Sequence, residues 1–215
     1  MLAQPAGAVK AAPPCPDRSF GDAGTETRPT ALPAGQDAPR RAPGGKETGM
    51  AVKTLKDLYL EQVQDLYAAC KQTMPVLTEM GRAARSRDLS DALIAANQGV
   101  AQGIEAMGQI CARHEIDPTD QTCTGMEALA LDARKNAVET DFPDDDVQDL
   151  AIIARYRQLA HYAVAGYGSL LGLANRLELE TDGTALQECL DRTEAAMRRM
   201  TAVAEEAAAR TVAEG

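Results

Sequence analysis

From Leu150 to Leu170, apolar side chains return every three or four residues: Leu150, Ile153, Tyr156, Ala160, Ala163, Tyr167 and Leu170. That spacing matches the turn of an α-helix and draws one continuous apolar face. A similar rhythm begins at Leu55 and, with interruptions, persists to about Ala207. A chain patterned this way buries its apolar faces by packing helix on helix. Hydrophobic residues make up 45% of the chain but aromatics only 3%, so the core must be Ala, Leu, Met and Val. A β-sandwich would want more β-branched and aromatic residues.

Bulk chemistry removes several function classes. A formal charge of -10 without a basic stripe argues against binding a nucleic-acid backbone. No apolar run reaches the length of a membrane span. The five cysteines (Cys15, Cys70, Cys111, Cys123 and Cys189) are odd in number, widely spaced and without a CxxC pair. They fit reduced thiols in a cytoplasmic protein better than a disulfide framework or a zinc finger.

Residues 1–49 differ in kind. They hold eight of the eleven prolines and seven glycines, without helical periodicity, and are expected to be disordered. They lack the continuous apolar stretch of a signal peptide. A sharper expectation is that translation starts at Met50. If the source is bacterial, Lys46 and Glu47 are encodable as AAG-GAG, a purine run like a ribosome-binding site, with only Thr48 and Gly49 before Met50. The folded domain is then residues 50–215.

Within it, Thr54 and Asp57 open a first helix running to about Arg85, which Pro75 should kink or split. Asp88 or Ser90 opens a second, to about Arg113. Its inner face is unusually small: Ala92, Ala95, Ala96, Gly99, Gly103 and Ala106. Each helical glycine costs up to about 1 kcal/mol relative to alanine, which points to close helix approach or to a ligand pressed against the backbone. Thr124 and Glu127 resemble a capping box for a short third helix ending near Glu139. The acids from Asp141 to Asp146 lack the glycine and distal Glu of a calcium loop and read as the cap of a fourth helix, about 146–179. Thr184 then caps a fifth. The fold class is all-α: an antiparallel four-helix bundle with one additional shorter helix.

Several blocks in this order resemble the YciE/YciF family (DUF892), a branch of the ferritin-like superfamily. They are Thr54 to Tyr59, Gln64 to Tyr67, Lys71 with Gln72, Cys123 with Met126 and Glu127, and His161 and Tyr162 with Tyr167 and Gly168. The last group is similar to the family's Glu-His-Tyr-Glu-Ile-Ala-x-Tyr-Gly. The resemblance implies a ferritin-like bundle, cytoplasmic and often dimeric, linked to stress responses.

Where relatives carry metal-binding side chains, this chain departs. Gln62 and Cys70 stand where the first helix tends to have Glu. Ala96, Gly99 and Gly103 stand at positions of the second helix that are often His, Glu or Gln. In the third helix, family acids fall at Leu131 and Asp132, and in the fourth Ala160 and Ala163 flank the histidine where acids stand. Arg192 and Thr193 fall in an acid-rich stretch of the fifth. Ferritin-like di-iron centres need Glu-x-x-His pairs, because one helical turn brings both ligands to one metal, and the chain contains none. The remaining candidates for iron or manganese are Glu105, Glu127, Asp132 and His161, the last also read as a hydrogen-bonded core or interface histidine. No catalytic or cofactor-binding set stands out.

The leading expectation is therefore a metal-free homodimer with a degenerate metal site, acting by binding or assembly with a protein or small-molecule partner. Two alternatives stand beside it. One is a residual metal-dependent oxidase or peroxide-handling protein using His161. The other is thiol redox chemistry at Cys70, set against the commoner role of a buried cysteine as a small hydrophobe.

Overall fold

Thr54 stops the incoming extended chain and turns it into a helix. Its hydroxyl accepts from Asp57 N at 3.0 Å, while the Asp57 carboxylate accepts from Thr54 N at 2.9 Å, a reciprocal capping box. The computed structural model describes residues 52–213, with side chains as far as residue 209. The expectations for residues 1–49 and for a start at Met50 lie outside the described residues.

The elements are α1 (Leu55–Ala83), α2 (Arg87–Arg113), α3 (Thr124–Ala133) continued by a π-helical turn (Arg134–Val138), α4 (Asp145–Arg176) and α5 (Glu180–Ala213). Among the described residues there are no strands, and no helix is long and apolar enough to cross a membrane.

Packing follows from the short connections. α1 and α2 form one hairpin, α4 and α5 another, and the hairpins meet through α2 against α5 and α1 against α4. Tyr59 at the start of α1 reaches Asp182 at the start of α5, beside the C-terminal end of α2. At the other end, Asp149 at the start of α4 meets the turn between α1 and α2. Each long helix is thus antiparallel to both of its neighbours. The segment holding α3 carries the chain back from one end to the other, the single long crossover that ferritin-like bundles have.

The helix boundaries correct several expectations. Pro75 neither splits nor ends α1. It lies on the exposed face, and Val76, Leu77 and Met80 beyond it are buried, offsetting the lost backbone bond. α2 begins at Arg87, one residue before Asp88 and three before Ser90, and the Ser86 side chain makes no capping bond. The Asp149 carboxylate pins the turn leading into it, accepting from Arg85 N and Ser86 N at 2.8 Å each. α3 is capped by Cys123, whose sulfur accepts from Met126 N, and not by Thr124. α5 starts at Glu180, leaving Thr184 inside the helix with its hydroxyl donated to Glu180 O. The Asp144 carboxylate accepts from Val147 N at 2.8 Å, as the capping reading of that acidic stretch required.

α2 and α4 both end in the same motif. Ile116 N donates to Cys111 O and Glu115 N to Ala112 O; Leu179 N donates to Ala174 O and Glu178 N to Asn175 O. These are Schellman closures, which put the residue after the cap in the left-handed region, usually a glycine. Here glutamates occupy it, with φ of 55° at Glu115 and 57° at Glu178.

Candidate functional site

The fourth helix delivers Tyr156, Ala160, Ala163 and Tyr167 to the middle of the bundle, as its periodicity foretold. There they meet Cys70 and Thr73 of α1, Ala96 and Gly99 of α2, and Arg192, Thr193 and Arg199 of α5 around a cavity of about 290 Å³. Cys70, Ala96, Gly99, Ala160, Ala163, Arg192 and Thr193, singled out in the sequence from the family resemblance, are brought together by the fold on these walls. Gln62, Leu131 and Asp132 are not among the lining residues.

The walls carry no Asp, Glu or His. The four metal candidates are elsewhere. Glu105, Glu127 and His161 are exposed on α2, α3 and α4, and Asp132 is half-buried, bound to Arg155 at 3.0 Å and to Asn136 at 2.6 Å. His161 is thus neither a core histidine nor a ligand facing the bundle axis. Among the described residues, no three His, Cys, Asp or Glu side chains lie together as a metal site would require. The donor set around the cavity does not fit iron or manganese, since thiol, phenol and guanidinium groups offer no carboxylate to offset a divalent charge.

What fills the cavity's surroundings is specific. The Tyr167 hydroxyl lies 3.4 Å from Cys70 Sγ and sits directly over the α2 backbone, where a Cβ added at Gly103 would come within 2.4 Å of it. Added Cβ atoms at Gly99 and Gly108 would touch Arg192 and Tyr67 at ordinary contact distance. The glycines of α2 therefore receive large side chains of neighbouring helices, and close approach of backbones is not what they serve. Burial pushes the Cys70 thiol up to about 11, and burial together with the neighbouring thiol raises Tyr167 as well, so both are neutral near pH 7. A fully buried neutral thiol is a poor nucleophile.

Arg192 and Arg199 lie seven residues apart, two turns along one stripe of α5. Neither has a carboxylate partner among the described residues; Arg192 Nη1 lies 4.0 Å from Cys189 Sγ. Tyr156, 4% exposed, makes no hydrogen bond there either, and burial pushes its phenol up to about 12. Between α4 and α5, Arg157 donates to Thr201 Oγ1 at 3.3 Å, and Tyr156 and Arg199 both line the cavity.

Two buried networks brace the site. At one end the Asp182 carboxylate, 3% exposed, accepts from Tyr59 Oη at 2.9 Å and from Arg113 at 2.8 and 2.7 Å, with His114 Nε2 at 2.7 Å. Burial pushes its carboxyl up, but the hydrogen bonds from His114, Arg113 and Tyr59 outweigh that and hold it below the usual carboxylate range. Lower down, Tyr162 Oη lies 2.9 Å from Cys123 Sγ and donates to Asp65 at 3.3 Å, tying the crossover to α1 and α4. Sequence reasoning missed the first network. Arg113 and His114 looked like the end of a helix and a polar loop, and no local pattern links them to an acid 68 residues away.

The match to known proteins covers the same span. The model of a domain of unknown function, DUF892, matches residues 54–213. The chain belongs to the DUF892 family. It is 29% identical over 156 residues to Protein YciF of Escherichia coli (strain K12), covering 72% of this chain and 93% of that protein. The crystal structure of the E. coli stress protein YciF superposes with a TM-score of 0.69 at 28% identity, over 73% of this chain and 98% of that one. YcfI from Rhodopseudomonas palustris gives 0.66 at 28% identity, over 70% and 95%. This DUF892 chain thus shares its helical core with YciF.

Proposed function

We propose that this DUF892 chain is a YciF-like, stress-associated protein that works without a metal centre and acts by binding. The observation that carries this reading is the composition of the central cavity. Positions that would need acids and imidazoles to hold iron carry Ala, Gly, Cys and Thr, and Arg192 joins them with a positive charge. Replacing buried acids by small apolar side chains removes a desolvation cost and lets the bundle stand without iron. A residual oxidase would require His161 to share a metal with Glu105, Glu127 or Asp132, and three of these four face solvent. Thiol chemistry at Cys70 is disfavoured by its 5% exposure.

The test is elemental analysis of protein made in medium supplemented with iron and manganese. The expected content is far below one metal per chain. Metal retained near stoichiometry through purification would overturn the reading.

A further inference from the structure

We infer that the central cavity is a binding site for an anionic amphiphile: a single hydrocarbon chain of about ten carbons ending in a carboxylate or similar monoanion. The inference rests on the metal-free reading above, because a metal would fill the same space.

Three independent observations meet in this cavity. Its walls are apolar over most of their area, from side chains such as Leu66, Leu77, Met126 and Leu159. At about 30 Å³ per non-hydrogen atom, a volume of about 290 Å³ holds about ten such atoms, which fits one slim chain and excludes a two-tailed lipid. The second observation is charge. In a chain with 32 acidic and 22 basic side chains, two arginines on this wall are left without an acid among the described residues. No acid stands three or four residues from Arg199, and Glu188, one turn from Arg192, makes no ion pair with it. Arg192 is half-buried in this wall and Arg199 is exposed at its rim, and guanidinium groups bind carboxylates through charge-assisted, often bidentate bonds. The third is Tyr156, buried on the same wall with a hydroxyl that no described residue engages. That hydroxyl is free to donate to an acceptor on a ligand in the cavity. A metal would be repelled by these arginines, and a neutral hydrocarbon would leave them unused.

The anion therefore sits at Arg192 and Arg199, and the tail runs inward past Ala96 and Ala163 towards Cys70. The Arg192 stem packs over Gly99 of α2, its Cδ 3.6 Å from where a Cβ would stand.

The test is titration calorimetry of delipidated protein with decanoate, alongside decanol and decylammonium, which share the tail without the negative charge. Decanoate should bind at least tenfold more tightly than either. From hexanoate to decanoate, affinity should rise by about fourfold per added methylene and then level off at tetradecanoate. Arg192→Gln and Arg199→Gln should each weaken decanoate by about tenfold and leave decanol unchanged. Ala163→Leu, which narrows the cavity and spares the arginines, should abolish the chain-length dependence. The wild-type comparison decides even if a variant fails to fold. Equal binding of decanoate and decanol, or no binding of decanoate by metal-free protein, would overturn this inference while leaving the metal-free reading intact. Stoichiometric metal in the same preparation would overturn that reading instead.

Discussion

Asp182→Ala offers a sharp test of how the two hairpins hold together. Its carboxylate is all but buried and takes bonds from three side chains on two other helices. Truncation leaves the hydroxyl of Tyr59, itself 0% exposed, without an acceptor, which costs about 1–3 kcal/mol. The His114 side chain is 11% exposed and loses roughly another 1 kcal/mol. The Arg113 side chain, at 36%, can turn to water and adds little. The total is about 2–4 kcal/mol, overlapping the range of about 3–5 for breaking a buried ion pair from one side. Against a typical stability of about 5–15 kcal/mol this is a large loss. Urea unfolding followed by circular dichroism reads it as a lower midpoint. Tyr59→Phe should cost only about 1 kcal/mol, and in the double variant the two losses should overlap by at least 1 kcal/mol, since the orphaned hydroxyl is then gone. The network also sets an acid limit. The folded carboxyl titrates below its unfolded counterpart, so its contribution is complete above about pH 4 and is lost as pH falls through the folded value. The wild-type midpoint should therefore drop more steeply below pH 4 than that of Asp182→Ala. A loss under about 1 kcal/mol with strictly additive single variants would refute the reasoning.

Three further outcomes are expected from the backbone. Gly103→Ala drives a methyl group into the Tyr167 hydroxyl and should destabilise by about 1–3 kcal/mol, with much of the loss recovered when Tyr167→Phe is added; Gly168→Ala, where nothing lies within 4 Å, should instead stabilise by up to about 1 kcal/mol, both read by urea unfolding. Glu178→Gly, which relieves a left-handed residue in a Schellman closure, should raise the thermal midpoint by an amount corresponding to about 1 kcal/mol, and no change would show that the glutamate side chain compensates in place.

Much of the fold was legible because its signals are local. Helical periodicity, the Thr54 cap and the Asp144 cap each lie within a few residues of what they determine, and the resemblance through Cys123, His161, Tyr162 and Tyr167 set the topology. Long-range chemistry was not legible. His161 drew attention as the histidine inside a patterned helix, yet its side chain faces solvent, while His114, in what looked like a loop, carries the buried bond. The turn into α2 is pinned by Asp149, more than sixty residues on, a partner that no local pattern shows. Thr184 looked like a cap because Thr commonly is one, whereas the real start at Glu180 turns Asp182 inward. Cys70, Ala96, Gly99, Ala160, Ala163 and Arg192 could be singled out one by one in the sequence, but that they enclose a single space with a second arginine beside it needed the fold.

Asp149 and Asp182 sit at opposite ends of the molecule, and both are lent by the second hairpin to the first. Between them the helices interlock with a spacing that repeats every turn, so a slip of one hairpin along the other by a full turn, about 5.4 Å, is the competing register. Anchoring at both extremities removes that freedom, as two dowels index a sliding joint. The middle of the molecule can then remain hollow without loss of alignment, because its registration is decided at the rims.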